Sequence, residues 1–260
     1  MLNKKKKYLQ IALNGTLEDA KDIISKIPLD ERIIIEAGTP LIKNYGTQGI
    51  RTIRRLWEQR LLGTTLQNKG AIDLISLYKI LKEKKSQQLK ITSNQNKKDT
   101  PLIPYIVADL KCMDRGLTEV IIAQQGGASS ATALGYAPIE TLDAFIEKCK
   151  ELGLDSMIDM MNVDFPLNIL RELKQIPDVV ILHRGVDEED YNREKQIPYH
   201  EIQRIKSNYD IMLAVAGGDT IQEVQRAIFN DVDIVILWRA FYEKSDETVK
   251  LVEEFLREIR

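Results

Sequence analysis

Short runs of β-branched and apolar residues recur along this chain, each followed by a stretch in which apolar positions return every three or four residues. The runs predict strands at Tyr8–Leu13, Arg32–Glu36, Ile103–Asp109, Ser129–Leu134, Ser156–Met160, Val179–His183, Ile211–Ala216 and Ile234–Leu237. Between them, Thr141–Leu152 carries Leu142, Phe145, Ile146 and Cys149 on one helical face, and Ile221–Phe229 shows the same period. Most of the strands are apolar throughout, which fits parallel strands covered by helices better than a half-solvated antiparallel sheet. Eight strands alternating with helices predict a (β/α)8 TIM barrel, with a doubly wound open sheet as the competing architecture.

One segment breaks the rhythm. After a helical pattern at Arg51–Leu62 comes a second at Ala71–Lys85, and then the polar stretch SQQLKITSNQNKKDT, too poor in apolar residues to bury much surface. Gly63–Thr100 is therefore read as a helical and polar insertion between the second and third βα units of one domain spanning residues 1–260. A surface excursion tolerated by a loop accounts for it, and a lid or docking element is the alternative.

Composition changes this picture little. A chain of 260 residues, 43% of them hydrophobic, can bury a substantial core as a single barrel. The 37 basic and 39 acidic residues nearly cancel, so no overall field points to nucleic acid or an anionic membrane, and any anion site must be local. Cys112 and Cys149 have no CxxC partner, which excludes a zinc site and a disulfide framework and favours a reducing cytoplasm. The basic run Lys4–Lys7 is followed by too short an apolar stretch for a signal peptide, and no window is long enough to span a membrane.

Polar residues gather where the predicted strands end. Glu36 closes the second, Asp109 and Lys111 straddle the end of the third, Asp159 lies near the end of the fifth, and His183 ends the sixth. In a barrel those ends form one rim, so the five side chains should converge. Any one of them alone could equally be a helix cap or a solvated loop charge. The i, i+2 spacing of Asp109 and Lys111 places both on one face of an extended segment, where a carboxylate and an ammonium can stabilise an oxyanion or hold a metal.

The run Asp109-Leu110-Lys111-Cys112-Met113-Asp114 resembles the Asp-x-Lys-x-x-Asp signature of the orotidine-monophosphate-decarboxylase superfamily. Glu36-Ala37-Gly38-Thr39-Pro40, Asp159-Met160-Met161-Asn162-Val163, His183-Arg184-Gly185-Val186-Asp187 and Val215-Ala216-Gly217-Gly218 are similar to its branch of 3-hexulose-6-phosphate synthase and keto-gulonate-phosphate decarboxylase. The resemblance implies a Mg²⁺-stabilised enediolate, with Glu36 and Asp109 as metal ligands and Lys111 adding a second positive charge. It also implies His183 as the proton carrier, Asp159 as an acid in the same mouth, and Asp114 reaching across the interface of a homodimer. A substrate phosphate would sit on Gly217, Gly218 and Arg239.

The chain departs from the branch at two places. Asn14 stands where the synthases carry Asp, losing a charge and gaining donors beside the proposed metal. Trp238 stands where the family has Gly before Arg, so an indole either crowds the phosphate, seals it, or packs outward. The expected activity is an aldehyde-lyase joining formaldehyde to ribulose 5-phosphate, or the reverse. Decarboxylation of another sugar phosphate at the same site, and a catalytically silent barrel that binds a phosphorylated ligand, are the alternatives.

Overall fold

The computed structural model describes residues 1–63, 102–192, 194–218, 220–243 and 248–259. Eight strands run parallel and close in chain order: β1 (Tyr8–Leu13), β2 (Ile33–Ala37), β3 (Ile106–Cys112), β4 (Ser130–Leu134), β5 (Asp155–Asp159), β6 (Val179–His183), β7 (Met212–Ala216) and β8 (Ile234–Leu237). Closure is made by β1 on β8, with Tyr8 opposite Ile234 and Ile11 opposite Leu237. The chain is thus a (β/α)8 barrel, and the open doubly wound sheet is excluded.

Strand alternation sorts the apolar residues into two cores. Tyr8, Ala12, Ile34, Val107, Met157, Val179, Ile181, Met212, Ala214, Ile234 and Ile236 fill the barrel interior. Their neighbours, such as Leu9, Ile11, Leu13, Ile33, Ile35 and Ile106, face outward into a larger core shared with the helices. Both faces of the strands are therefore largely buried, which is the reason they read as continuous apolar runs rather than alternating ones.

Among the described residues the helices are α1 (Leu17–Lys26), α2 (Thr39–Leu61), α3 (Gly116–Gly126), α4 (Ile139–Leu152), α5 (Pro166–Glu172), α6 (Val186–Tyr191), α7 (His200–Lys206), α8 (Ile221–Phe229), α9 (Arg239–Glu243) and α10 (Thr248–Glu258). The predicted helix at Arg51–Leu62 is only the second half of α2. Its first half was hidden by Gly46, which sits inside the helical span with a non-helical backbone (φ 57°, ψ −150°). Strand β3 lies about three residues later than predicted, because Pro104 lacks an N–H for the ladder and Ile103 stands 84% exposed ahead of it. The proposed insertion falls between α2 and β3, and its residues after Gly63 lie outside the described ones.

Phe145 shows how tightly the helical layer is packed. It is fully buried on α4, and a Cβ on Gly116 of α3 would meet its own Cβ at 3.0 Å. Phe145→Ala should cost about 3–5 kcal/mol of stability through lost burial and the cavity left behind. Urea unfolding would read this as a lower midpoint with an unchanged slope, and a midpoint like the parent's would mean the layer collapses freely around the gap.

Candidate active site

The barrel's C-terminal mouth holds a cavity of about 390 Å³, and Glu36, Asp109, Lys111, Asp159, His183, Asn14 and Gly217 all line it. The five strand-end residues predicted to converge do so. Glu36, Asp109 and Asp159 are almost fully buried, at 6%, 7% and 2% exposure, so their charges must be met from within the protein.

Asp159 is the hub. One of its oxygens (Oδ2) accepts from Lys111 Nζ at 2.7 Å and contacts His183 Nδ1 at 2.8 Å, while the other accepts from the Met161 N–H at 2.9 Å. Burial acts to raise its pKa, but the cationic His183 and Lys111 overcome this and hold the carboxyl well below the usual range. A carboxylate can only accept, so His183 Nδ1 carries the hydrogen of that bond and Nε2 remains for exchange with a ligand. Burial alone would depress the imidazole; the Asp159 charge and hydrogen bond outweigh it and raise His183 above its ordinary value. Lys111 is raised in the same way, by Asp109 and Asp159 against burial.

Asp109 lies 3.4 Å from Lys111 Nζ and is oriented by two hydroxyls, Thr132 at 2.6 Å and Thr39 at 2.7 Å. The pairing of Asp109 with Lys111 does not come from simple extended alternation. Lys111 is left-handed (φ 46°), and the β3–β4 register shifts between Ala108 and Cys112. A bulge therefore aims the ammonium back over the mouth.

Glu36 has a different environment. Gln10 Nε2 donates to it at 2.5 Å, but burial and the nearby Asp109 charge push its carboxyl up to about 7. Two buried carboxylates in one cavity, one of them driven toward its neutral form by burial and by the other's charge, suit a divalent cation that would relieve both. Among the described residues no group of three or more His, Cys, Asp or Glu is arranged as a metal cage. A metal held by Glu36 and Asp109 would thus take most of its shell from water and substrate, the habit of Mg²⁺.

The remaining predicted residues are more scattered. Asn14 sits against Gly38, where a Cβ would come within 1.9 Å of its Oδ1, so the glycine makes room for the amide. Gly217 has φ +97°, and a Cβ there would lie 2.3 Å from the Arg184 carbonyl. Asp114, Gly218 and Arg239 do not line the cavity. Asp114 is exposed and accepts from the Arg115 N–H. Gly218 is buried against Glu223. Arg239 lies near Glu189 and Asp190 of α6, at 3.5 and 3.4 Å, and over the Trp238 ring at 5.5 Å. Trp238 lines the cavity and packs on the interior core, with Tyr242 6.0 Å away, so it does not turn outward. Sequence reasoning passed over Gln10, Thr39 and Thr132 as orienting groups. Gln10, the one amide in the otherwise apolar Tyr8–Leu13, was the available signal.

The sequence profile of the orotidine 5'-phosphate decarboxylase / HUMPS family matches residues 74–253, more than half of the chain. Among full-length relatives, a bifunctional enzyme Fae/Hps from Methanosphaera stadtmanae is 33% identical over 256 residues, covering 96% of this chain and 52% of its own. Another from Methanocella arvoryzae is 32% identical over 243 residues, covering 92% and 50%. The chain spans about half the length of these relatives. Solved structures share the fold. 3-Hexulose-6-phosphate synthase from Salmonella typhimurium superposes with TM-score 0.67 at 24% identity, over 96% of this chain and 99% of that one. KGPDC from Streptococcus mutans gives 0.67 at 17%, over 98% and 97%. These matches support the branch that the sequence motifs resemble. The chain belongs to the orotidine 5'-phosphate decarboxylase / HUMPS family.

Proposed function

We propose that this chain is a Mg²⁺-dependent aldehyde-lyase that joins formaldehyde to ribulose 5-phosphate, or runs the reverse. The observation that carries the reading is the pairing of an electrostatically frustrated Glu36–Asp109 carboxylate pair with a His183–Asp159–Lys111 relay in one buried cavity. Glu36 and Asp109 would hold the metal, which when bound supplies Lewis-acid stabilisation of oxygen charge on the substrate. Lys111 adds a fixed positive charge beside the same oxygens, and Asp159 holds it there. His183 moves the proton through Nε2. Its raised pKa favours an imidazolium that can donate to a carbon, and the neutral form takes the proton back in the opposite direction.

The chain would act as a homodimer with shared sites, Asp114 facing the partner. Exposed Met113, Leu117 and Ile121, at 45%, 50% and 38%, flank Asp114 and supply apolar surface for that contact. Among the described residues no helix is long and apolar enough to cross a membrane. Two buried free thiols, Cys112 and Cys149, suit a reducing cytoplasm.

The test is formaldehyde consumption by the purified protein with ribulose 5-phosphate and Mg²⁺. Turnover that disappears with chelator and returns with Mg²⁺ is expected. A second reading, decarboxylation of a keto-sugar-acid phosphate, is favoured by His183-Arg184 and by the equal structural match to KGPDC. Carbon dioxide release from such a substrate, without formaldehyde consumption, would replace the first reading with this one. A folded dimer that turns over neither would leave a ligand-binding barrel.

A further inference from the structure

Strand β3 swells where Asp109 and Lys111 reach the mouth. Ala108 stands opposite Ala131 and Cys112 opposite Ala133, so Asp109, Leu110 and Lys111 all face the single residue Thr132 of β4. A bulge of that kind interrupts the ladder and leaves backbone groups without their usual partners. Here the Thr132 side chain takes the ladder's place. Its hydroxyl accepts from the Lys111 N–H at 3.2 Å and donates to Asp109 Oδ1 at 2.6 Å, so one oxygen serves both residues. Thr132 is only 1% exposed, and water does not readily replace either bond.

The two ends of this bridge do not depend on it equally. Asp109 keeps a second hydroxyl, Thr39, which donates to its other carboxylate oxygen at 2.7 Å and to its carbonyl at 2.9 Å. Lys111 has a left-handed backbone (φ 46°), a conformation that a residue with a Cβ keeps only where its surroundings hold it. The bond from its N–H to Thr132 spans that turn, and from the turn its ammonium reaches Asp159 at 2.7 Å.

We infer that Thr132 is a positioning residue whose hydroxyl holds the left-handed turn at Lys111 and thereby seats the ammonium on Asp159. The consequence for turnover rests on the reading that this ammonium steadies charge on substrate oxygens. The hold on the turn does not.

Thr132→Val keeps the shape and removes the hydroxyl, while Thr132→Ser keeps the hydroxyl and removes the methyl. Acetylation of the folded protein by acetic anhydride, followed lysine by lysine with peptide mass spectrometry, reads the turn without turnover, because an ammonium held on a carboxylate is a poor nucleophile. Lys111 should react roughly tenfold faster in Thr132→Val and at the wild-type rate in Thr132→Ser. Lys206, paired with Asp231 and Asp233 beside the start of β8, should change in neither. In turnover, kcat of the valine variant should fall by about 10–100-fold with less than about a threefold change in KM for ribulose 5-phosphate, since the displaced ammonium acts on developing charge.

Wild-type labelling of Lys111 in Thr132→Val overturns the proposal, and so does a serine variant that labels like the valine one. A rise at Lys111 matched by an equal rise at Lys206 overturns it too, by showing a general loosening. If Thr132→Val does not fold, Thr132→Ala removes the same hydroxyl and carries the same test. Faster labelling of Lys111 alone, in a protein whose wild type shows no formaldehyde turnover, keeps the positioning role and removes the proposed reaction.

Discussion

Glu36→Gln should abolish Mg²⁺-dependent turnover while making the metal-free protein more stable. Loss of one of two carboxylates for the metal removes roughly 4 kcal/mol of charge stabilisation, about a 10³-fold fall in rate. The stability change has the opposite sign because Glu36 is buried beside Asp109 and its carboxyl is pushed up to about 7 from an ordinary value of 4.5. A carboxyl whose folded pKa is raised costs nothing below its unfolded value. The cost grows as pH rises from about 4.5 to 7 and is constant above that. Glutamine keeps the shape and can still accept from Gln10, so the variant should gain on the order of 2 kcal/mol above pH 7 and nothing near pH 4. Melting curves across that range check the sign. Mg²⁺ should raise the melting temperature of the wild type and not of the variant. A variant less stable than wild type at pH 8 would mean that Glu36 is a structural carboxylate rather than a frustrated one.

The second large effect is expected at Asp159. Replacing it with Asn leaves Lys111 and His183, both tucked into the mouth, without the carboxylate charge they share. Stability should fall by about 3–5 kcal/mol, the cost of stranding buried charge. Activity should fall by about 10²–10⁴-fold, since the proton carrier is no longer held in one tautomer. A pH profile separates these two consequences. In wild type the Asp159 charge raises His183 against its burial, so in the variant burial dominates and the limb assigned to His183 moves to lower pH. An unmoved limb would show that another group moves the proton.

Much of this site could be read along the chain because each key residue falls where an apolar strand stops. Glu36, Asp159 and His183 are the inward-facing polar residues at the ends of β2, β5 and β6, and period-two alternation alone directs them into the mouth. The eight-strand rhythm was legible for the same reason, with β1, β6 and β8 recovered to the residue. Where local rules were weak the reading slipped. Gly46 hid the first half of α2, and Pro104 displaced the start of β3.

The sequence by itself determined the barrel, the ring of polar strand ends and the family motifs, because these depend on spacing within short segments. Which charges meet was decided only by the tertiary structure. Asp159 reaches Lys111 across 48 positions and His183 across 24, Thr132 orients Asp109 across 23, and Arg239 meets Asp190 across 49. No local pattern encodes those distances. They follow from closure of the barrel, from the left-handed turn at Lys111 that aims its ammonium, and from the position of α6 above the mouth. Those same features set the proton affinities of Glu36, Asp159 and His183, because a buried charge responds to neighbours a few ångströms away whatever their separation along the chain.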